Sequence, residues 1–107
     1  MSGWTVRATD DFWASVARLG ESYDRGEYVA IVRTIREAIE ELAEKGRIEE
    51  SGWGEHALRR APFDDGCHFE FHIHDDDVLV VYFRRERRRV IRMVGAYAHR
   101  SIPGSRS

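Results

Sequence analysis

Cysteine is almost absent from this sequence of 107 residues, which contains only Cys67. A single cysteine cannot form an internal disulfide and fits a reducing compartment, so we expect a cytoplasmic protein. No apolar run approaches the ~20 residues that a membrane-spanning helix needs. Residues 1–9 also lack the basic-then-apolar pattern of a signal peptide. We therefore expect no membrane partner.

Lysine is equally scarce, because Lys45 is the only one and arginine supplies nearly all the positive charge. The formal net charge is −2, but its distribution is uneven. Residues 1–50 carry seven basic and eleven acidic side chains, whereas residues 84–107 carry eight arginines and one acid. The second segment, with a net charge of +7, should attract phosphates. The alternative is an arginine-rich hairpin that only keeps the protein soluble, since high-GC genomes also replace lysine by arginine.

The composition fits one packed domain over residues 1–107, with a frayed tail from Pro103. Hydrophobic residues make up 42% of the chain and aromatic residues 11%, which argues against disorder despite 34% charged residues. The apolar periodicity predicts a strand near residues 4–8, helices over 10–19 and 27–45, a loop over 46–66, and three strands. These strands are predicted at residues 67–74, 78–84 and 89–97.

The order β-α-α-β-β-β predicts an α+β fold in which two helices pack on a mainly antiparallel four-stranded sheet. Within the strand at 67–74, one face should meet the core and the other should be polar. The core face has Cys67, Phe69, Phe71 and Ile73, and the polar face has His68, Glu70, His72 and His74. Glu70 either orients a histidine or is solvated. Gly95 marks a bulge or a close approach.

All five histidines lie in the second half of the chain: His56, His68, His72, His74 and His99. The turn at Asp75–Asp77 and the returning last strand should meet at one rim of the sheet. That rim would collect His72, His74, Asp77, His99 and Arg100. Histidine transfers protons near neutral pH, and arginine binds phosphate oxygens. The pattern therefore favours metal-free RNA cleavage, with a base for the 2′-OH and an acid for the leaving 5′-oxygen.

Two competing interpretations concern the same histidines. His72 and His74, followed by acids, nearly match the His-x-His-x-Asp-His signature of metallo-β-lactamase-like hydrolases and form a reasonable zinc half-site. Those enzymes need a longer chain and more ligands, so we expect no catalytic metal. His68 and His74 are otherwise ordinary residues of a solvated strand face, and the cysteine at 67 should point into the core.

Several segments, in order, resemble the RelE/YafQ superfamily of bacterial type II toxin-antitoxin toxins, most closely its YafQ-like branch. Glu55-His56-Ala57-Leu58 resembles the His-x-Leu loop of the family, and Glu70-Phe71-His72-Ile73 resembles its His-Ile strand end. Asp77-Val78-Leu79-Val80-Val81-Tyr82 is similar to Asp-Trp-Leu-Leu-Ile-Tyr, and residues 95–100 are similar to the closing Gly-x-His element. The turn here is one residue longer, so Asp76 is an alternative match to Asp77.

The resemblance implies a ribosome-associated endoribonuclease that cleaves mRNA without a cofactor and is neutralised by a cognate antitoxin. The catalytic positions implied by the motifs are His56, His72, Asp77 and His99. The phosphate-binding candidates, from charge and adjacency, are Arg84, Arg85, Arg87, Arg88, Arg89 and Arg100. The alternative function is a non-catalytic protein of the same fold that binds an antitoxin or another protein.

Overall fold

The computed structural model describes residues 3–49, 55–58, 66–75 and 77–98, and for His56 the backbone alone. A short 3-10 turn, Leu19–Glu21, lies between the two helices. The helices and strands are β1 Thr5–Arg7, α1 Asp10–Arg18, α2 Arg25–Lys45, β2 His56–Ala57, β3 His68–Ile73, β4 Val78–Arg85 and β5 Val90–Ala98. The predicted α+β order is confirmed. The two-residue β2 is an addition, lying where the sequence predicts only a loop.

Side-chain caps determine where both helices begin. Thr9 accepts a hydrogen bond from the Phe12 N–H at the start of α1. The α2 helix begins two residues earlier than predicted, because the Asp24 carboxylate accepts from the Glu27 N–H at 2.8 Å and the Glu27 carboxylate accepts from the Asp24 N–H. Gly46 ends α2 with a left-handed φ of 78°, as its position predicts. None of the described helices is long and apolar enough to cross a membrane.

The strand order in the sheet is β1-β5-β4-β3-β2. Strands β3, β4 and β5 form the predicted antiparallel meander, and β2 adds an antiparallel edge to β3. By contrast, β1 pairs with β5 in parallel, over Val90 to Arg92 only. Since Val78 pairs with Ala98, β5 ends at the rim where the turn between β3 and β4 lies.

Apolar side chains cover both faces of β4, as the sequence predicts for a central strand. Val78, Val80 and Tyr82 face the main core, which contains the buried faces of α1 and α2. Leu79 and Val81 belong to a second, smaller cluster with Leu58, Val94 and Tyr97. We call the side of the sheet that bears this second cluster the outer face.

A bulge in β5 adjusts the last strand to its neighbours. Val81 pairs with Gly95 and Tyr82 with Met93, so Val94 is the extra residue. A side chain at Gly95 would collide with the Tyr97 hydroxyl, which explains why a glycine stands at this position. Farther along β5 than its pairing with β1 extends, the buried Ser15 hydroxyl on α1 accepts a hydrogen bond from the Ala96 N–H at 3.0 Å.

Candidate functional site

The alternation of β3 places three polar residues on the outer face. His68, Glu70 and His72 pair across the strand with Phe83, Val81 and Leu79. Directly paired residues of an antiparallel ladder lie on the same face, and Leu79 and Val81 belong to the outer cluster. On the other side of β3, Phe71 and Ile73 lie in the main core, as predicted.

Glu70 is buried, with 8% of its surface exposed, so of the two alternatives for this residue, simple solvation is wrong. Its Cα lies opposite that of His56 in β2, and the chain then continues to the buried Leu58. The short edge strand and Leu58 therefore cover the middle of a face that the sequence alone shows as open. Because β2 has only two residues, no periodicity could reveal it.

His72 stands at one end of the outer face, in a row with Leu79 and Tyr97. His72 pairs with Leu79, and Leu79 with Tyr97, so His72 and Tyr97 are two strands, or about 10 Å, apart. Both side chains are half-buried. Burial raises the pKa of Tyr97, and the nearby Arg18 guanidinium partly opposes this. Tyr97 is therefore a neutral hydrogen-bond donor at physiological pH.

The turn between β3 and β4 takes Asp77 toward the helices. The ladder ends at the pair of Ile73 with Val78, and His74 adopts a left-handed φ of 56°. The Asp77 N–H donates to the His74 carbonyl at 3.0 Å. The Asp77 carboxylate accepts a hydrogen bond from the hydroxyl of Tyr23, which packs against the main core.

His74 leaves the strand face on which the sequence places it. Its Nε2 lies 3.5 Å from the Glu27 carboxylate, and its ring meets the Tyr23 ring edge-on with centroids 5.3 Å apart. The alternative of a zinc half-site at His72 and His74 is therefore not supported, because the turn takes His74 off the outer face. Within the described ranges, no group of three or more histidine, cysteine or acidic residues is arranged to hold a metal ion.

Other predicted site residues lie partly or wholly outside the part of the chain that the structure describes. His99, Arg100 and Asp76 lie outside the described residues. For His56, only the backbone position opposite Glu70 is known. The structure thus brings Asp77, His74 and His72 to one end of the sheet, but on different sides of it.

Sequence reasoning missed three residues at this end of the sheet. Tyr23 and Tyr97 were not predicted, although Tyr97 lies in the segment that resembles the closing family motif. Arg18 lines a cavity of about 250 Å³ at the C-terminal end of β5. That cavity is lined by Ser15, Arg18, Leu19, Glu21, Ser22, Ala96, Tyr97 and Ala98. Only the packing of α1 against β5 brings Arg18 there.

The prediction that Arg84 binds phosphate is wrong, because Arg84 is 7% exposed and already paired. Its Nη1 lies 3.2 Å from the Glu55 carboxylate and donates to the Gly46 carbonyl at 3.2 Å. The guanidinium also lies 3.9 Å above the Phe69 ring. Its Nε approaches the Glu86 carboxylate at 3.2 Å without hydrogen-bond geometry. Position 84 continues the alternation of the core-facing residues of β4. This alternation predicts an inward side chain, which a simple count of charges does not show.

The Glu55 carboxylate also accepts a hydrogen bond from the buried Tyr82 hydroxyl. Burial, and then the hydrogen bond to Glu55, raise the pKa of Tyr82 far above its usual value. Together with Arg84, these residues form a buried polar cluster at the end of α2. Its role is structural, because its polar groups are turned inward.

The other described arginines of the C-terminal segment form an exposed cationic end around the turn between β4 and β5. Arg92 on β5 is exposed as well. The other exposed members are Arg85, Arg87, Arg88 and Arg89. Along β4, from Val78 to Arg85, the two ends of the sheet are about 24 Å apart. We call the turn between β4 and β5, with Arg87, Arg88 and Arg89, the arginine turn, and the end of the sheet that carries His72 the histidine rim. The two lie at opposite ends of one sheet and are not parts of one pocket.

A groove of about 470 Å³ lies beside the arginine turn. Its lining includes Cys67, which is half-buried and only partly inside, in contrast to the predicted core position. The lining residues are Gly66, Cys67, Phe69, Phe83, Arg84, Arg85, Glu86, Arg87 and Arg88. Apolar rings thus meet guanidinium groups along the groove.

Known structures share this fold at low sequence identity. A toxin from Helicobacter pylori in a metal-bound form has a TM-score of 0.57 and 16% identity, covering 92% of this chain and 98% of that one. A copper-bound mutant of a toxin from the same organism has a TM-score of 0.56 and 17% identity over the same shares. A conserved hypothetical protein, HP0894, also from Helicobacter pylori, has a TM-score of 0.58 and 18% identity, covering 90% and 94%.

These likenesses establish the fold. No protein-family model matches the sequence, and no curated protein is significantly similar to it.

Proposed function

We propose that this chain is a toxin-type mRNA endoribonuclease of the RelE/YafQ kind, acting in the cytoplasm on ribosome-bound mRNA and neutralised by a cognate antitoxin. The observation that carries the proposal is one sheet face with His72 at one end and exposed arginines at the other. The fold that this chain shares with a Helicobacter pylori toxin supports it. The family resemblance of the sequence motifs supports the same conclusion independently.

The proposed reaction is a metal-free transesterification. One histidine, His72 or His99, removes the proton of the 2′-OH, and the 2′-oxygen forms a bond to phosphorus. The bond from phosphorus to the 5′-oxygen breaks, and the other histidine protonates that oxygen. The products are a 2′,3′-cyclic phosphate and a free 5′-OH, so atoms and charge balance without a co-reactant.

Asp77 and His56 have supporting roles in this proposal. Asp77 is held by Tyr23, so it would act by positioning the end of the sheet that carries His72 and by balancing the charge of a histidine. His56 would assist at the phosphate. We also propose that residues 1–107 form a single domain.

The exposed arginines would neutralise the RNA backbone away from the cleaved bond. Arg85, Arg87, Arg88 and Arg89 are exposed and together present a dense positive charge. Arg100 remains a predicted member of this set. The same cationic end suits an acidic antitoxin segment that folds on binding.

A second candidate is a non-catalytic binder of the same fold. The hydrogen bond from Tyr23 to Asp77 favours it, because it engages the aspartate in a structural contact instead of leaving it to a histidine. Tightly controlled expression in bacteria separates the two functions. Growth arrest with cleaved messages, relieved by co-expression of a cognate antitoxin, is expected for the nuclease. Unaffected growth and intact messages would favour the binder.

A further inference from the structure

Phe83 is an aromatic residue on the outer face with cationic neighbours. Its ring is half-buried and pairs across the sheet with His68 on one side and Arg92 on the other. The His68 ring centroid lies 5.1 Å from that of Phe83. The guanidinium carbons of Arg92 and Arg85 lie 5.3 Å and 5.7 Å from the centre of the Phe83 ring.

Among the described residues, packing into an apolar core does not account for this phenylalanine. Within the described part of the chain, Phe83 belongs to neither the main core nor the outer cluster. It instead borders the groove beside the arginine turn, with Arg87 and Arg88 on the same lining. An aromatic ring bordered by guanidinium groups offers a stacking surface for a base and counter-charges for adjacent phosphates.

The position of Phe83 relative to the histidine rim fits a linear ligand. Leu79, in the row of His72 and Tyr97, lies four residues before Phe83 on β4, a distance of about 14 Å. Both rows lie on the outer face. Glu70, the acidic residue of β3 that lies between them, is buried.

We propose that Phe83, flanked by Arg85 and Arg92, is a base-stacking subsite for single-stranded RNA, separate from the histidine rim. The choice of RNA as the ligand rests on the proposed function. The cationic surroundings match a polyanion, and a planar ring favours the flat faces of unpaired bases over a featureless acidic surface. A strand bound there would extend along the outer face toward His72.

The test measures binding without requiring cleavage. The probe is a fluorescent 2′-O-methyl RNA of about twelve nucleotides, within the range of single-strand site sizes. Because its 2′-oxygens are blocked, it cannot be cut by 2′-OH attack. The companion probe has the same backbone without bases. Fluorescence anisotropy gives the dissociation constant of each probe for each protein.

Phe83→Leu should weaken binding of the base-bearing probe by roughly 5- to 150-fold, the range for loss of one base–aromatic stack. Binding of the abasic probe should stay unchanged, because phosphate contacts are intact. Phe83→Tyr should retain wild-type affinity, since it keeps the ring. Thermal unfolding confirms that each variant folds.

Three outcomes would overturn the subsite: equal affinity of Phe83→Leu and wild type for the base-bearing probe, an equal loss for both probes, or binding of an acidic polypeptide but not RNA through Phe83. The result is separable from the nuclease proposal. If wild type cleaves messages in cells but Phe83→Leu binds the probe normally, only the subsite is wrong. If Phe83 discriminates between the probes while messages stay intact, the subsite stands and the nuclease function is wrong.

Discussion

The hydroxyl of Tyr23 donates a hydrogen bond to the carboxylate of Asp77, and these residues are 54 positions apart in the chain. The contact joins the segment before α2 to the turn between β3 and β4. His74 strengthens the same junction through Tyr23 and Glu27. The end of the sheet that carries His72 is therefore held by the helices.

Tyr23→Phe should lower the free energy of unfolding by about 1 kcal/mol, since it removes one partly exposed hydrogen bond to a charged group. Asp77→Asn should cost less, because the amide oxygen still accepts. Urea denaturation of both single variants and of the double variant measures the coupling. Strictly additive losses would mean that the hydrogen bond contributes nothing to stability.

Histidine substitutions should separate acid–base catalysis from metal chemistry. His72→Gln and His99→Ala should each reduce RNA cleavage by ~10²–10⁴, the usual contribution of one proton-transfer group, with a bell-shaped pH–rate profile near neutrality. His74→Ala is the matched control and should change the rate little, because His74 packs against Tyr23 off the outer face. Equal losses at His72 and His74 would instead support a shared metal ion. Full activity of His99→Ala would exclude the proposed mechanism.

Arg84 should matter for folding rather than for RNA. Arg84→Met should destabilise the protein by about 2–4 kcal/mol, because it leaves the Glu55 carboxylate without its buried partner. Arg87→Gln, on the exposed turn, should change stability by less than ~0.5 kcal/mol. Denaturant midpoints compare the two directly. Similar midpoints for both variants would show that the buried pair contributes little.

RNA binding should depend steeply on salt if the exposed arginines contact phosphates. Each contact releases counterions, so Arg87→Gln and Arg88→Gln should each reduce the slope of log affinity against log salt by ~0.7 on single strands. Titrations from low to physiological salt measure the slope. Affinity that stays flat across this range would leave the arginine turn with a solubilising role only.

Tyr82 should couple stability to alkaline pH. Its pKa is raised in the folded protein, but is about 10 once the chain unfolds. The folded state therefore keeps this proton when the unfolded state loses it. The stability contribution is intact below pH ~10 and should fall by about 1.4 kcal/mol for each further pH unit. Tyr82→Phe should remove this part of the pH slope in denaturant titrations.

Absorbance titration of tyrosinate offers a second measurement of the same effect. The chain has four tyrosines, and the pKa values of Tyr82 and Tyr97 are raised. The folded protein should therefore ionise fewer than four tyrosines at a pH where the urea-unfolded chain ionises all of them. Identical titration curves for the two states would contradict the buried positions of these rings.

The order of helices and strands, and much of their detail, follows from the sequence alone. Strand alternation predicts the core positions of Phe71 and Ile73, and helical spacing predicts the buried face of α2. Gly46 and Gly95 mark a helix end and a bulge for local steric reasons. These features depend on periodicities of two and 3.6 residues and on capping within a few residues, so they can be recognised from the sequence alone.

The arrangement of the candidate site was decided only by the tertiary structure. A two-residue edge strand buries Glu70, a left-handed turn moves His74 to the helices, and burial converts Arg84 from a surface cation into a structural ion pair. The arginine turn and the histidine rim are also separated by the full length of β4. Each outcome depends on contacts between residues distant in the chain. The energies of such contacts cannot be inferred from a local sequence pattern. The sequence by itself determined which groups are present and on which strands they lie, whereas packing decided which of them face one another.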